Sequence, residues 1–342
     1  MRVSVLQENL AHGLNIVSRA VSPRSTLPVL ANVLVATDEG RLRLSATNDR
    51  VEMSLNIRTQ TLNVRCGASN TDIKCIDATE FPPMPVPDLA YSIQLNVADF
   101  REMIQQVVFA ASTDEARPVL TGVHLAVRDN KLTLSAADGF RLSMRKAELS
   151  SAVAKPFSAI IPARALSELA RISSDGDQSV TMLLPSNRAQ VIFRLKDAEL
   201  ASQLIEGSYP DLEQIIPRSY QTRSVMTTSA FLKACKQAEI FAREGSHIAR
   251  IKIQPGGAMA PGTVEISGQS EETGSHVTQI DASIEGEPLE IAFNVRFLRE
   301  VLDVIKTPNV ALETNTNTSP GVIRPVGEDN FLHVIMPMHL GS

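Results

Sequence analysis

Cysteine is scarce in this chain of 342 residues, with three in all. Cys66, Cys75 and Cys235 make an odd set without metal-ligand spacing, which argues for reduced, structural thiols and against a metal module. Val64 to Ile76 reads as a hairpin that brings Cys66 and Cys75 near one another. Long apolar runs are missing too: no stretch spans a bilayer and no basic, apolar signal segment is present, so a soluble, cytoplasmic protein is expected. Catalytic signatures are equally absent. There is no G-x-x-x-x-G-K-[ST], G-x-G-x-x-G, H-E-x-x-H or G-x-S-x-G, and the histidines at 12, 124, 247, 276, 333 and 339 are scattered, none paired with a second ligand at helical spacing. Asp138 with Asp175, or Glu271 with Glu272, could be drawn as carboxylate pairs, yet turns collect acids for backbone hydrogen bonding far more often than for chemistry. No enzyme, cofactor or metal site is expected. Positive charge is not in excess either: 33 Lys and Arg against 38 Asp and Glu leave a net charge of −5, which argues against a simple basic nucleic-acid binder.

What the chain does have is internal repetition. An amphipathic helix, followed by an alternating strand that ends in a Ser-centred turn, occurs three times. The helices read Leu10, Leu14, Val17, Val21; Phe100, Ile104, Val107, Ala111; and Phe231, Cys235, Ala238, Ala242, each at i, i+4, i+7, i+11, the stripe by which a helix buries one face. The strands end in Ser45-Ala46-Thr47-Asn48, Ser135-Ala136-Ala137-Asp138 and Ser267-Gly268-Gln269-Ser270, which begin 35, 35 and 36 residues beyond the first stripe position. Such repeats exceed the ~20–50 residues of stacked solenoid units and can each close a core. Three domains are therefore expected, at 1–88, 89–217 and 218–340, with Gly341-Ser342 an addition outside the fold.

Module two is the fullest. It reads as a helix over 97–112, strands near 119–128, 131–136, 140–149 and 156–161, a second helix over 161–174 with Pro162 in its first turn, and strands near 178–184 and 189–196. Module three repeats this with strands near 248–254, 263–268, 276–284 and 288–293, helix 294–306, and strands near 309–315 and 321–336. Two modest helices cannot cover both faces of such sheets, so an α+β arrangement with helices on one side is favoured over a doubly wound fold. Module one departs from the pattern. Leu10 to Phe100 and Ser45 to Ser135 are both 90 residues, whereas Phe81 to Tyr209, the turn residues closing the two modules, is 128. About 38 residues are thus missing after Asn48, where module two places a strand pair and its second helix: either the segment is deleted, which should leave apolar surface uncovered, or a disordered stretch is left out of the sequence there.

Charge is distributed unevenly. The helical windows 7–21, 97–112, 161–174, 228–244 and 294–306 hold ten Lys and Arg against eight Asp and Glu, a balance of +2 where the remainder carries −7. Mixed helical charge for solubility explains so small an imbalance by itself. Three segments remain distinctive: the Asp138-Gly139-Phe140-Arg141-Leu142 turn, Tyr209-Pro210-Asp211 running on to Ile215-Ile216-Pro217, and the apolar stretch Val334-Ile335-Met336-Pro337-Met338-His339-Leu340. The last suits either a final strand docked into its own sheet or a Met-lined groove that adapts to apolar segments of partner peptides.

These segments, together with Arg24-Ser25-Thr26-Leu27-Pro28-Val29-Leu30, Arg117-Pro118-Val119-Leu120 and Ser319-Pro320-Gly321-Val322-Ile323-Arg324-Pro325, resemble the bacterial DNA polymerase III β subunit family, the sliding clamps, across all three modules. Ile161-Pro162-Ala163-Arg164 and Glu290-Ile291-Ala292-Phe293-Asn294 look like the segments leading into that family's second helices. The resemblance implies three α+β clamp domains per chain, paired head to tail as a homodimer into a six-domain ring, helices lining the hole and antiparallel sheets outside. It implies a non-catalytic processivity factor. Its partners would be duplex DNA without sequence preference, the replicative polymerase, the clamp loader, repair polymerases and mismatch repair proteins.

By the same resemblance Arg24 and Arg117 would contact DNA, and helical position adds Arg164, Arg171, Lys233, Lys236, Arg243 and Arg299. The peptide groove between modules two and three would be walled by Leu120, Gly139, Phe140, Arg141, Leu142, Pro210, Ile215, Thr318, Pro320, Val334, Met336, Pro337, Met338 and Leu340. Gln214 stands where some members have Arg, and His339 replaces an Arg of the terminal motif. Phe81 on module one, and Ile240 and Phe241 on module three, match the family's dimer-interface positions. A competing reading is a clamp-like interaction or decoy protein that keeps the groove but, with module one shortened, cannot close a ring; a weakened ring or a monomer is the corresponding expectation.

Overall fold

Strands dominate the chain, and every strand pair among the described residues is antiparallel. The structure, a computed structural model, describes residues 2–18, 33–35, 37–38, 41–42, 50–56, 58–66, 69–77, 79, 92–150, 152–153, 155–173, 178–184, 189–243, 247–257 and 260–339. The chain divides into two compact units, Met1–Val86 and Pro87–Ser342.

The first unit holds β1 (Arg2–Leu6), α1 (Gln7–Val17), the short pair β2 (Thr37–Asp38) and β3 (Arg41–Leu42), then β4 (Arg50–Asn56), β5 (Thr61–Cys66) and β6 (Ser69–Lys74). Its main sheet runs β1-β4-β5-β6. The hairpin expected around Val64 exists, but it does not join the two cysteines. Cys66 pairs with Ser69 at the turn, whereas Lys74 pairs with Thr61 and the Cys75 N–H donates to the Gln60 carbonyl at 2.8 Å, at the opposite end. The stripe of α1 is incompletely covered: Leu10 and Val17 are half-buried and Leu14 is 37% exposed.

The second unit opens with β7 (Ser92–Asn96), α2 (Val97–Val107), β8 (Gly122–Arg128), β9 (Lys131–Ala137), β10 (Arg141–Glu148), β11 (Phe157–Pro162), α3 (Ala163–Ile172), β12 (Ser179–Leu183), β13 (Gln190–Arg194) and β14 (Glu199–Gln203). It continues with β15 (Thr222–Thr227), α4 (Thr228–Ala242), β16 (Ile248–Gln254), β17 (Gly262–Ser270), β18 (Gly274–Gly286), β19 (Leu289–Asn294), α5 (Val295–Val304), β20 (Asn309–Thr314), β21 (Gly321–Pro325) and β22 (Phe331–Ile335). Local chemistry starts the helices: the Asn96 side chain accepts the Asp99 N–H before α2, and Asn294 accepts the Arg296 N–H before α5. Pro162 is the residue preceding α3 rather than part of its first turn.

Each half buries its helices against two sheets. One core gathers Phe100, Ile104, Leu125, Leu134, Leu166, Leu169 and Phe193; the other gathers Phe231, Ile251, Phe293, Leu298 and Phe331. Where α1 is half exposed, the stripes of α2 and α4 are covered, Phe100, Ile104, Val107, Phe231, Cys235, Ala238 and Ala242 all being buried. Strands β10 and β22 pair across the halves, placing Leu142 opposite Val334, and so fuse their sheets into one of twelve strands.

Pairing order makes the repeat explicit. The sheet β7-β12-β13-β14 recurs as β1-β4-β5-β6 and as β15-β20-β21-β22. Between β9 and β12, residues 138–178 supply β10, β11 and α3; between β3 and β4 only residues 43–49 intervene, too few for a strand pair and a helix. The shortening of module one is therefore the loss of these three elements. Hydrophobic patterning missed β1, β7, β14 and β15, and read β21 and β22 as one strand. In β14, Glu199-Leu200-Ala201-Ser202-Gln203, neither face is fully buried, so no strong alternation announces it.

Candidate peptide groove and cation-bearing helices

Strand alternation sorts the side chains at the junction of the two halves. Along β10, Leu142 and Met144 point to one face and meet Val334 and Leu332 of β22; Ala137, Leu212, Val322, Tyr209 and Ile216 complete a small apolar cluster there. This cluster is separate from both domain cores. Near it in sequence lie apolar side chains that stay out in solvent: Phe140 is 59% exposed, Ile215 48% and Met336 37%. A buried floor with exposed apolar residues at its margins is the build of a docking groove.

The turns around the floor are fixed by short-range chemistry. Asp138 accepts the N–H groups of Phe140 and Arg141, and Gly139 takes φ +98°, where a side chain would be strained and its Cβ would lie 3.3 Å from Arg117 Nη1. The Met336 N–H donates to the Phe140 carbonyl at 2.8 Å and the Met338 N–H to the Ala292 carbonyl at 2.8 Å, so the apolar tail is docked into the fold beside the turn that carries Phe140. Across from it, the Ala137 N–H donates to the Tyr209 hydroxyl, and the Tyr209 ring stacks on His124 at 5.1 Å. Burial pushes the Tyr209 phenol up to about 12, opposed by the Ala137 hydrogen bond and helped by the nearby Asp138 charge, so it stays protonated at neutral pH. Gly207, at φ +132°, lets that turn approach Val119, beside Leu120.

Leu142 and Val334 thus form the floor, and Gly139, Phe140 and Met336 lie at the turn and tail joined to it. Pro210 is exposed, Leu120 and Met338 are half-buried, and Pro337 is half-buried between the two tail hydrogen bonds. Thr318 is exposed in the turn before β21 and Pro320 half-buried immediately before it. Gln214 donates to Asp211 at 2.9 Å, and Leu340 lies outside the described residues. Arg141 does not belong with the floor: the pleat turns its side chain to the face opposite Leu142. There the guanidinium donates to Asp138, to Glu300 at 2.5 Å and to the Phe109 carbonyl at 2.6 Å, and lies over the Phe109 and Phe297 rings. It clasps module two to α5. On that face His333 is buried, its Nδ1 2.7 Å from Ser143 Oγ and its ring stacked on Phe109. Ala137, Met144, Leu212, Val322 and Leu332 were not singled out from sequence, although alternation from Leu142 and Val334 would have pointed to Met144, Leu332 and Val322.

The helical cations are mostly engaged. Arg171 pairs with Glu168, Lys236 with Asp303 at 2.8 Å, and Arg299 with Glu239 at 2.7 Å and Asp303 at 3.4 Å. Arg117 is exposed and pairs with Asp114 at 3.5 Å, and Arg164 is exposed on α3. Lys233 and Arg243 are exposed with no ion pair among the described residues; Arg24 lies outside them. At the end of α4, Ile240 is 63% exposed and Phe241 stacks on His276 at 5.8 Å, while Phe81 is not among the described residues.

Repeated domains of two helices packed on antiparallel sheets, two of them joined edge to edge beside a small apolar cluster, define a clamp fold. Family models of the DNA polymerase III beta subunit match residues 1–65 as its N-terminal domain, 94–211 as its central domain and 213–339 as its C-terminal domain. The beta sliding clamp of Synechococcus elongatus is 31% identical over 383 positions covering 100% of both chains, and that of Staphylococcus aureus strain N315 is 29% identical over 99% of each. The first alignment exceeds this chain's 342 residues, so at least 41 of its positions have no residue here. A crystal structure of the sliding clamp from Bacillus subtilis matches with a TM-score of 0.90 at 27% identity over 100% of both chains. The β subunit of Thermotoga maritima matches in fold, with a TM-score of 0.86 at 23% identity over 99% of this chain and 100% of that one. The chain belongs to the DNA polymerase III β-subunit family, the DNA sliding clamps, which are non-catalytic subunits of that polymerase.

Proposed function

We propose that this clamp encircles duplex DNA as a closed ring of its own copies in the bacterial cytoplasm, at the nucleoid, and receives short peptide segments of its partners in the groove of Leu142, Val334 and Met336. The replicative polymerase, the clamp loader, repair polymerases and mismatch repair proteins would take turns there. The observation that carries the groove reading is the buried cluster at the β10–β22 junction with exposed Phe140, Ile215 and Met336 beside it. Apolar anchors in a desolvated pocket supply most of a small interface's affinity. Met336→Ala combined with Leu142→Ala should weaken an apolar polymerase-tail peptide at least tenfold by fluorescence titration, equivalent to about 1.4 kcal/mol. Unchanged affinity would contradict the assignment.

Holding DNA calls for little chemistry. A net charge of −5 and few unpaired helical cations attract phosphates weakly enough to permit sliding, while encirclement prevents escape. Lys233 and Arg243, exposed and without an ion pair among the described residues, are the clearest candidates for such contacts, and Arg117 and Arg164 are further exposed candidates; Arg117, Arg171, Lys236 and Arg299 are each paired with a neighbouring carboxylate.

A further inference from the structure

The turn that carries Phe140 is held from the far side of its own strand. One oxygen of the Asp138 carboxylate accepts the Phe140 N–H at 2.9 Å and the Arg141 N–H at 3.1 Å, and the other accepts the Arg141 Nε–H at 3.0 Å. The tail is fastened to the same turn, since the Met336 N–H donates to the Phe140 carbonyl. The direction in which Asp138 points therefore sets where two exposed apolar side chains, Phe140 and Met336, stand.

Arg141 is fixed in turn by module three. Its guanidinium lies 4.2 Å from the centroid of the Phe297 ring and donates to one oxygen of Glu300 on α5 at 2.5 Å, with both side chains largely buried. Burial by itself would raise the Glu300 pKa, but hydrogen bonds from Arg141 and Arg296 outweigh it and hold the carboxyl below its usual range, so Glu300 is ionised at neutral pH. Hydrogen bonds between ionised partners are strong and directional, which makes this contact a firm anchor for Arg141. The second Glu300 oxygen serves α5 itself: the Arg296 Nε–H donates to it at 2.9 Å, and Arg299 Nη2 lies 3.7 Å from it.

Resting on the reading of the β10–β22 junction as a peptide groove, we propose that Glu300 of α5 is a positioning residue for that groove: through Arg141 and Asp138 it holds the Phe140 turn, and Met336 with it, in the shape a partner segment meets. The pleat turns Arg141 to the face opposite Leu142, so the effect is transmitted along the chain Glu300, Arg141, Asp138 and is not a contact with the segment. A turn ordered before binding spares the complex the cost of ordering it afterwards. Because Arg296 uses the other oxygen of Glu300, its removal leaves the Arg141 contact in place.

Fluorescence titration of the full chain with the apolar polymerase-tail peptide, together with amide exchange of the free protein, tests this. Glu300→Gln keeps the side chain's shape and should weaken the peptide roughly fivefold, whereas Arg296→Ala should leave its affinity unchanged; equal losses in the two variants would overturn the proposal. In a Phe140→Ala background Glu300→Gln should cost nothing further, and additive losses would show that it acts on the fold at large. Asp138→Ala, which cuts the chain at its other end with module three untouched, should reproduce the loss; full affinity in that variant overturns the proposal. The Phe140 and Arg141 amides should exchange roughly fivefold faster in Glu300→Gln while those of β16 keep their protection, and unchanged exchange at Phe140 overturns it too. The groove reading fails separately: a parent chain that does not bind the peptide refutes the groove, and exchange at Phe140 still decides whether Glu300 holds the turn.

Discussion

His333 shows what one residue reveals about the junction. It is fully buried on β22, bonded through Nδ1 to Ser143, with no hydrogen-bond partner for Nε2 among the described residues. Burial, and then the nearby Arg141 cation, hold its pKa down to about 3 from 6.5. Between those values the unfolded chain binds a proton that the folded chain refuses, so this residue's contribution to stability is lost as pH falls, by up to about 1.4 kcal/mol per unit. Urea unfolding followed from pH 7 to pH 4 should decline less steeply in His333→Leu than in the parent, even though the variant starts lower with Ser143 unpartnered; identical slopes would contradict this. Arg141 marks a limit of the sequence at this scale. Its neighbour Leu142 joins the buried apolar cluster with Val334 while Arg141 clasps Glu300 on the other face, a separation set by the pleat and by strand register.

At the scale of elements, α1 is the exposed counterpart of α2 and α4. Its stripe was as clear in sequence as theirs, yet Leu14 remains 37% exposed, in the module that lacks the counterparts of β10, β11 and α3. Elsewhere the second helix packs beside the first, α5 being tied to α4 through Arg299–Glu239 and Lys236–Asp303. Segments with few buried apolar contacts open more readily. Amides of Gln7–Val17 should therefore exchange with deuterium at least tenfold faster than those of Thr228–Ala242; equal protection would show that α1 has found another cover. The main helices were legible because apolar residues recur at helical spacing over several turns. Short edge strands were not: β14 is stabilised by hydrogen bonds to β13, which leave no mark on side-chain polarity.

For the whole molecule, the repeat was readable because three stripes and three turns keep a common spacing, and the loss in module one was readable as a break in it. The arrangement of Lys233 and Arg243 against ion-paired Arg299 was not, since which cation finds a carboxylate is decided by packing between helices. Lys233→Ala with Arg243→Ala should shorten residence of the clamp on DNA, and the magnitude of the salt dependence of log K should fall by roughly 1 for each phosphate contact removed. An unchanged salt dependence would remove these residues from the DNA-facing set. The most direct test of encirclement is retention of the loaded protein on nicked circular DNA before and after linearisation. A topological link predicts stable retention on the circle and rapid loss once a free end is cut; equal retention on both, or none on the circle, would contradict it.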